Sequence, residues 1–289
     1  MRELMEQKGP SRTAITTATL RAAHYLLDAE PKILNDRFAR AFAGFASDDE
    51  LLKALNAISY PDFRRMRTLF ALRSRYAEDE LARSIRRGIS QYVILGAGLD
   101  SFAYRRPDIM RELDVFEVDH PASQAWKRAR VAELGIGIPA RLHYAPVDFE
   151  RETLSAGLAR AKIRFSATFF SWLGVTQYLS PAAVLGTLRE VAGLAPPGSE
   201  IVFQYVVPAR TLAGEERALV ESLAGRAAEV GEPWLSFFEP EELDRDLKDM
   251  GFSEISHFGP RQATERYLVG RTDGLGLPAY FHMINARVG

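Results

Sequence analysis

The sequence predicts an α/β fold, a doubly wound and mostly parallel sheet of seven strands preceded by helices, and three observations predict it. The apolar run Tyr92-Val-Ile-Leu95 leads straight into Gly96-Ala-Gly98, the pattern of a strand buried on both faces that turns sharply at its end. About twenty residues later a second such run, Asp114-Val-Phe-Glu-Val-Asp119, ends in carboxylates. Further strand-like runs then alternate with helical ones, as a sheet covered on both faces requires.

Taken in order, residues 1–13 are polar, and the stretch from Ala14 to about Arg87 has helical composition punctuated at Pro31, Gly44 and Pro61. Leu20, Ala23, Leu26 and Leu27 recur at helical spacing, as do Leu51, Leu52, Leu55 and Ile58. A third helix, about Pro61 to Arg87, sets Phe63, Met66, Phe70 and Leu81 among many arginines, most of which read as a solvated face. Strands are expected near 91–95, 113–118, 142–147, 167–172 and 200–207, with two more near 253–258 and either 265–270 or 280–286. Pro121 opens the helix that runs from about Ala122 to Glu133, and Ser180-Pro181 caps another. Residues 209–240 read as a helical insertion, and Glu239-Pro-Glu-Glu-Leu243 opens a helix that stops at Gly251. No linker divides the chain: a single domain is expected, with residues 1–88 as a helical lid over a core at 89–289.

Composition narrows the function. The 37 basic and 38 acidic residues leave a net charge of −1, which favours neither nucleic acid nor an anionic membrane as partner. The absence of cysteine rules out disulfides, thiolate metal sites and a cysteine nucleophile. No compact Asp/Asn cluster suggests a catalytic magnesium site, so no metal is expected. Met1 to Lys8 holds no apolar signal region and no later run approaches a membrane span, so the cytoplasm is the expected compartment.

Glycines at the end of a central strand let backbone approach a ligand closely, and an acidic residue ending the next strand suits a ribose. Together they predict a nucleoside-containing cofactor. A dinucleotide fingerprint needs a third glycine where Ser101 stands, so the loop Gly96-Ala-Gly-Leu-Asp100 fits a nucleoside without phosphates, as in S-adenosylmethionine.

With these segments laid out, the chain resembles class I S-adenosylmethionine-dependent methyltransferases, whose core is Rossmann-like. More narrowly it resembles the family related to leucine carboxyl methyltransferases, in its bacterial O-methyltransferase-like branch. The residues that carry the likeness are Pro10-Ser-Arg-Thr-Ala14, Arg73-Ser-Arg-Tyr76, Ile94-Leu-Gly-Ala-Gly-Leu-Asp100 with Tyr104-Arg105, and Phe116-Glu-Val-Asp-His-Pro121. Val147-Asp-Phe149, Ser171-Trp-Leu-Gly-Val-Thr-Gln-Tyr-Leu-Ser-Pro181 and Gly270-Arg-Thr-Asp-Gly274 complete it, so that it spans nearly the whole chain.

The resemblance implies roles for individual positions. Gly96 and Gly98, with Ala97 between them, would line the methionine half of the cofactor. Asp119 would take the ribose hydroxyls, with Glu117 the alternative holder unless it pairs with a nearby arginine. Asp148 and Phe149 match the adenine site, although Asp148 also suits an N-cap for a helix beginning at Glu150. Arg73 is favoured over Arg75 for the cofactor carboxylate, and Arg12 is a second candidate that could close over it. Ser171 falls with the cofactor contacts, and Trp172, Leu173, Gln177 and Tyr178 with the acceptor pocket. In the phosphatase-directed members the fourth strand ends in an acidic residue five positions before the matching tyrosine. Here that tyrosine is Tyr178 and the position holds Leu173, which points away from a protein substrate and towards a small molecule.

The reading that results is an O-methyltransferase acting on a small carboxylate or hydroxyl compound. A non-catalytic cofactor-binding module is the alternative from another class, since no unambiguous general base stands out. A nicotinamide-dependent oxidoreductase shares only the glycine turn, and an RNA methyltransferase only the arginine-rich helix. Of the five histidines, His120 lies beside the cofactor strand end and His24 in the expected lid.

Overall fold

The computed structural model describes residues 12–57, 62–148, 151–164 and 166–289. Seven strands form one sheet: β1 Gln91–Leu95, β2 Asp114–Asp119, β3 Leu142–Pro146, β4 Phe169–Trp172, β5 Glu200–Val206, β6 Phe252–Phe258 and β7 Phe281–Val288. Their order is β3-β2-β1-β4-β5-β7-β6, with β7 antiparallel to both neighbours and the rest parallel. All five residues of β1 and all seven of β5 are buried, which is why these strands read as unbroken apolar runs. Strand order reverses between β1 and β4, and the crevice at the carboxyl end of such a switch point is where open α/β sheets bind ligands.

The longer helices are α1 Arg12–Leu27, α2 Asp48–Ala57, α3 Phe63–Arg86, α4 Pro121–Glu133, α5 Leu154–Arg160, α6 Pro181–Leu194, α7 Gly214–Glu229 and α8 Pro240–Asp249. Ser180 caps α6 as expected, accepting from the Ala183 amide at 3.2 Å with Pro181 in the first turn. Helix α3 lays Leu69, Leu72, Tyr76, Ala77 and Leu81 against β4, β5 and β7. Helix α1 packs on α3 rather than on the sheet, and its first turns reach the loop that follows β1.

Two expectations are corrected. Of the candidates for the last strand, only the later one forms: Thr264–Leu268 is a wide helical turn, and β7 begins at Phe281. The turn is held by α3, where Asp79 accepts from the Tyr267 hydroxyl at 2.8 Å and Glu80 pairs with Arg266 at 2.7 Å. The 209–240 insertion is helical over a short turn at Ala209–Thr211 and over α7, after which residues 230–239 run without regular structure across to α8. Ile58 and Phe149 lie outside the described residues. No helix of the described residues is long and apolar enough to cross a membrane.

Candidate active site

Where β1 ends, Gly96 and Gly98 adopt φ of +66° and +50°, the left-handed region that costs other residues about 1–2 kcal/mol. The Gly96 and Ala97 amides both donate to the Val118 carbonyl, at 2.9 and 3.1 Å, which folds the loop towards β2. A Cβ on Gly96 would stand 2.5 Å from Val175 Cγ2, and one on Gly98 3.4 Å from Ala14 Cβ. The glycines therefore admit the β4 loop on one side and α1 on the other. Asp100 braces the turn by accepting from the Phe102 amide at 2.7 Å. Ser101, in the place of the third glycine, accepts from Arg105 Nε at 2.8 Å. Arg21 ties α1 to the loop, donating to the Leu99 carbonyl at 2.7 Å and to Asp36 at 2.8 Å.

The two carboxylates of β2 have different surroundings. Asp119, at the strand end, accepts from the Gly98 amide through one oxygen and from the His120 amide at 2.7 Å through the other. Burial pushes its carboxyl upward against those two bonds. Each carboxylate oxygen can accept twice, so acceptor capacity remains for a ribose. Glu117 lies deeper, 1% exposed, and pairs with Lys127 Nζ at 2.6 Å. This is the paired state allowed for above, with a lysine in place of an arginine. Its Oε1 has no partner among the described residues, and burial raises the carboxyl to about 7 despite Lys127.

Arg73 and Arg75 separate clearly. Arg75 faces outward, donating to Asp79 at 3.0 Å and to the Ile33 carbonyl at 3.1 Å. Arg73 faces inward and is 7% exposed. Its partners are the Gln204 side-chain oxygen at 3.1 Å, the Thr17 hydroxyl at 3.5 Å and the Phe70 ring, whose centroid lies 4.4 Å from the guanidinium carbon. All are neutral, and among the described residues no carboxylate comes within 4 Å. Burial first, then repulsion from Arg21, lowers its pKa to about 9, against the pull of Tyr178 and Asp100. A guanidinium so placed is a ready partner for a carboxylate supplied by a ligand. Arg12 opens α1 and is exposed.

Asp148 shapes the turn after β3: its carbonyl accepts from the Arg151 and Glu152 amides at 2.8 and 2.9 Å, and its carboxylate lies 3.4 Å from Arg151 Nε. Among the described residues the next helix begins at Leu154, where Thr153 caps it through the Ala156 amide at 3.3 Å, and the helix start expected at Glu150 lies outside them.

The segment after β4 arches over this floor. A Cβ on Gly174 (φ +73°) would lie 2.5 Å from Arg73 Nη1, so any other residue there would take a left-handed φ and push the guanidinium aside. Trp172 is buried, while Leu173 and Tyr178 are half-buried. Ser171 is fully buried and bonds the Tyr92 hydroxyl at 2.8 Å, which places it beneath the loop rather than on the pocket surface. Residues 234–236 clip onto the arch through the Leu235 amide and the Gln177 carbonyl at 2.6 Å, and through the Ser236 hydroxyl and the Thr176 carbonyl at 2.7 Å. At that junction two buried polar atoms lack partners among the described residues, the acceptor Gln177 Oε1 and the donor Trp234 Nε1.

The histidines are committed elsewhere. His24 bonds Asp28 at 2.7 Å and accepts from the Leu34 amide at 3.2 Å, while His120 Nδ1 caps α4. His143 contacts Asp114 at 3.2 Å, His257 contacts Asp244 at 2.8 Å, and burial lowers the pKa of His282.

Gln204, Thr17 and Trp234 were not picked out from sequence, and Gly174 entered only as part of the Ser171–Pro181 motif, with no role given. Of the first three, Gln204 alone carried a signal, as an amide inside the apolar strand Ile201-Val-Phe-Gln-Tyr-Val206.

The fold and the floor of the site define a class I S-adenosylmethionine-dependent methyltransferase. The sequence model of the leucine carboxyl methyltransferase family matches residues 14–192, and the chain belongs to that family. It is 35% identical over 214 residues to "Putative S-adenosyl-L-methionine-dependent methyltransferase YktD" of Bacillus subtilis, covering 74% of this chain and 70% of that one. A Mycolicibacterium paratuberculosis protein of the same description is 33% identical over 205 residues, covering 67% of this chain and 64% of its own length. In fold, the chain resembles a solved methyltransferase candidate from Thermobifida fusca, with TM-score 0.60, 20% identity and coverage of 98% and 97% of the two chains. S-adenosylmethionine is thus the cofactor, and the nicotinamide alternative falls away.

Proposed function

We propose that this protein transfers a methyl group from S-adenosylmethionine to an oxygen of a small molecule, with a carboxylate as the preferred acceptor and a hydroxyl as the alternative. The observation that carries the cofactor side of this reading is Arg73, a buried cation with only neutral partners, poised for an amino-acid carboxylate. Gly96, Ala97 and Gly98 would line the methionine portion, Asp119 would hold the ribose, and Asp148 the adenine. Arg12, at the exposed start of α1, would come over the cofactor only if α1 moved. Bound there, the cofactor supplies a methyl carbon activated by its sulfonium.

What remains for the chain is to orient the acceptor and keep water out. Orientation alone can supply roughly 7–11 kcal/mol in favourable cases. The arch of Leu173, Gln177 and Tyr178, with Trp234 behind it, would form the acceptor pocket. Gln177 Oε1 and Trp234 Nε1 offer one acceptor and one donor to a polar ligand. Four of the five histidines, His24, His120, His143 and His257, are held in hydrogen bonds within the fold, which favours an acceptor that is already ionised, because a carboxylate needs no general base.

Methyl-labelled S-adenosylmethionine and a panel of carboxylates, phenols, alcohols and amines test the reading. Label released by mild alkali marks an ester and is the expected result; alkali-stable label on a phenol marks the hydroxyl alternative. Transfer to nitrogen alone, or none across the panel by protein that binds the cofactor, would overturn it.

A further inference from the structure

Away from the cofactor site, on the outward side of α3, lies a second concavity of about 440 Å³. Five cationic side chains line it, Lys32, Arg37, Arg75, Arg105 and Arg106, together with Asn35, against two carboxylates, Glu78 and Asp79. Part of this charge is neutralised within the fold. Arg105 grips Glu78 and lies 3.8 Å from Asp36, and Arg106 pairs with Asp108 at 2.8 Å.

Of the remaining cations Arg75 is paired with Asp79, and Arg37 and Lys32 are poorly compensated. Arg37 is exposed, rests on the Phe38 ring at 5.2 Å and has no carboxylate within 4 Å among the described residues. Lys32 is only 11% exposed, yet its ammonium donates to the Asp28 carbonyl and reaches a carboxylate, the 77% exposed Glu30, only at 4.0 Å. Arg75 divides its donors between Asp79 and the Ile33 carbonyl. Carbonyl partners satisfy hydrogen bonds but leave net charge, and a cleft in which one sign of charge predominates, here five cations to two carboxylates, concentrates counter-ions.

We propose that this groove is a binding site for a compact polyanion, a small molecule bearing several phosphoryl or carboxylate groups. Arginine forks and a lysine point charge are the pair of groups that recognise such ligands. The site is separate from the methyl-transfer site, yet an ion-pair ladder runs between them. Arg105 in the groove meets Asp36, Asp36 meets Arg21, and Arg21 holds the Leu99 carbonyl of the glycine loop.

Calorimetric titration of the full chain with inorganic tripolyphosphate and, separately, with citrate tests the proposal. Tighter binding of tripolyphosphate marks phosphoryl recognition, and equal binding marks recognition of charge alone. Arg37→Ala and Lys32→Ala should each weaken binding by about tenfold. Arg287→Ala, which removes a cation on the far strand β7, should leave it unchanged. S-adenosylhomocysteine binding confirms that each variant is folded; should Lys32→Ala fail that check, Arg37→Ala decides. Absence of binding to either anion at millimolar concentration overturns the site. Equal weakening by Arg287→Ala overturns it too, since it would mark diffuse surface attraction.

Discussion

Arg73 and Arg75 sit two residues apart on one helix and do different things, because one turns its guanidinium under the Gly174 backbone and the other turns it to a surface carboxylate. Removing the first should strip the cofactor of a buried ion-pair partner, worth about 2–5 kcal/mol. Arg73→Ala should therefore weaken S-adenosylhomocysteine by roughly thirtyfold to several thousandfold in calorimetry, with Arg75→Ala close to wild type. Gln204→Glu places a carboxylate against the Arg73 guanidinium, which should compete with the cofactor's own and weaken it at least about tenfold. Glu117 makes a prediction of a different kind. Its carboxyl rises from an ordinary 4.5 to about 7 in the folded protein, so folding favours the protonated form. The stability that this group contributes is complete below pH 4.5 and is lost as pH rises through about 7, up to about 3 kcal/mol. In urea titrations across that range, Glu117→Gln should flatten the decline; an unchanged slope would place the proton elsewhere.

At the level of elements, the loop between β1 and its following turn is more demanding than its sequence suggests. Gly96→Ala meets both a left-handed φ and the Val175 methyl at 2.5 Å, whereas Gly98→Ala meets a left-handed φ and an ordinary contact with Ala14. The first should cost about 2–5 kcal/mol and the second about 1–2 kcal/mol in equilibrium unfolding. Val175→Ala should recover part of the Gly96→Ala loss and none of the Gly98→Ala loss. The strands were legible because β1, β2 and β5 are buried on both faces and read as apolar runs. The last strand was ambiguous because Thr264–Leu268 has strand-like residues whose Tyr267 and Arg266 are instead captured by α3. No local pattern announces such a capture.

Across the molecule, the glycines and Asp119 proposed for the cofactor stood out in the sequence itself, whereas Leu173, Gln177 and Tyr178 of the proposed acceptor pocket came only from the resemblance and Trp234 not at all, for one physical reason. Glycines and a terminal carboxylate on adjacent strands form a site from short, local signals. The proposed acceptor pocket lies where residues 173–178 meet 234–236, and nothing within either segment encodes the meeting. Gly174 illustrates this, since its need for a bare Cα comes from Arg73 on a distant helix. Binding at this site should stabilise the whole chain, by about 2.7 kcal/mol at a hundredfold excess over Kd, seen as a rise of several degrees in Tm that Arg73→Ala cuts to about a third or less. The most direct test is a crystal structure with S-adenosylhomocysteine. The predicted result is a cofactor carboxylate bonded to Arg73, ribose hydroxyls on Asp119 and adenine beside Asp148. A cofactor carboxylate held by Arg75 or by the Lys32–Arg37 groove, with Arg73 still bound only to Gln204 and Thr17, would contradict it.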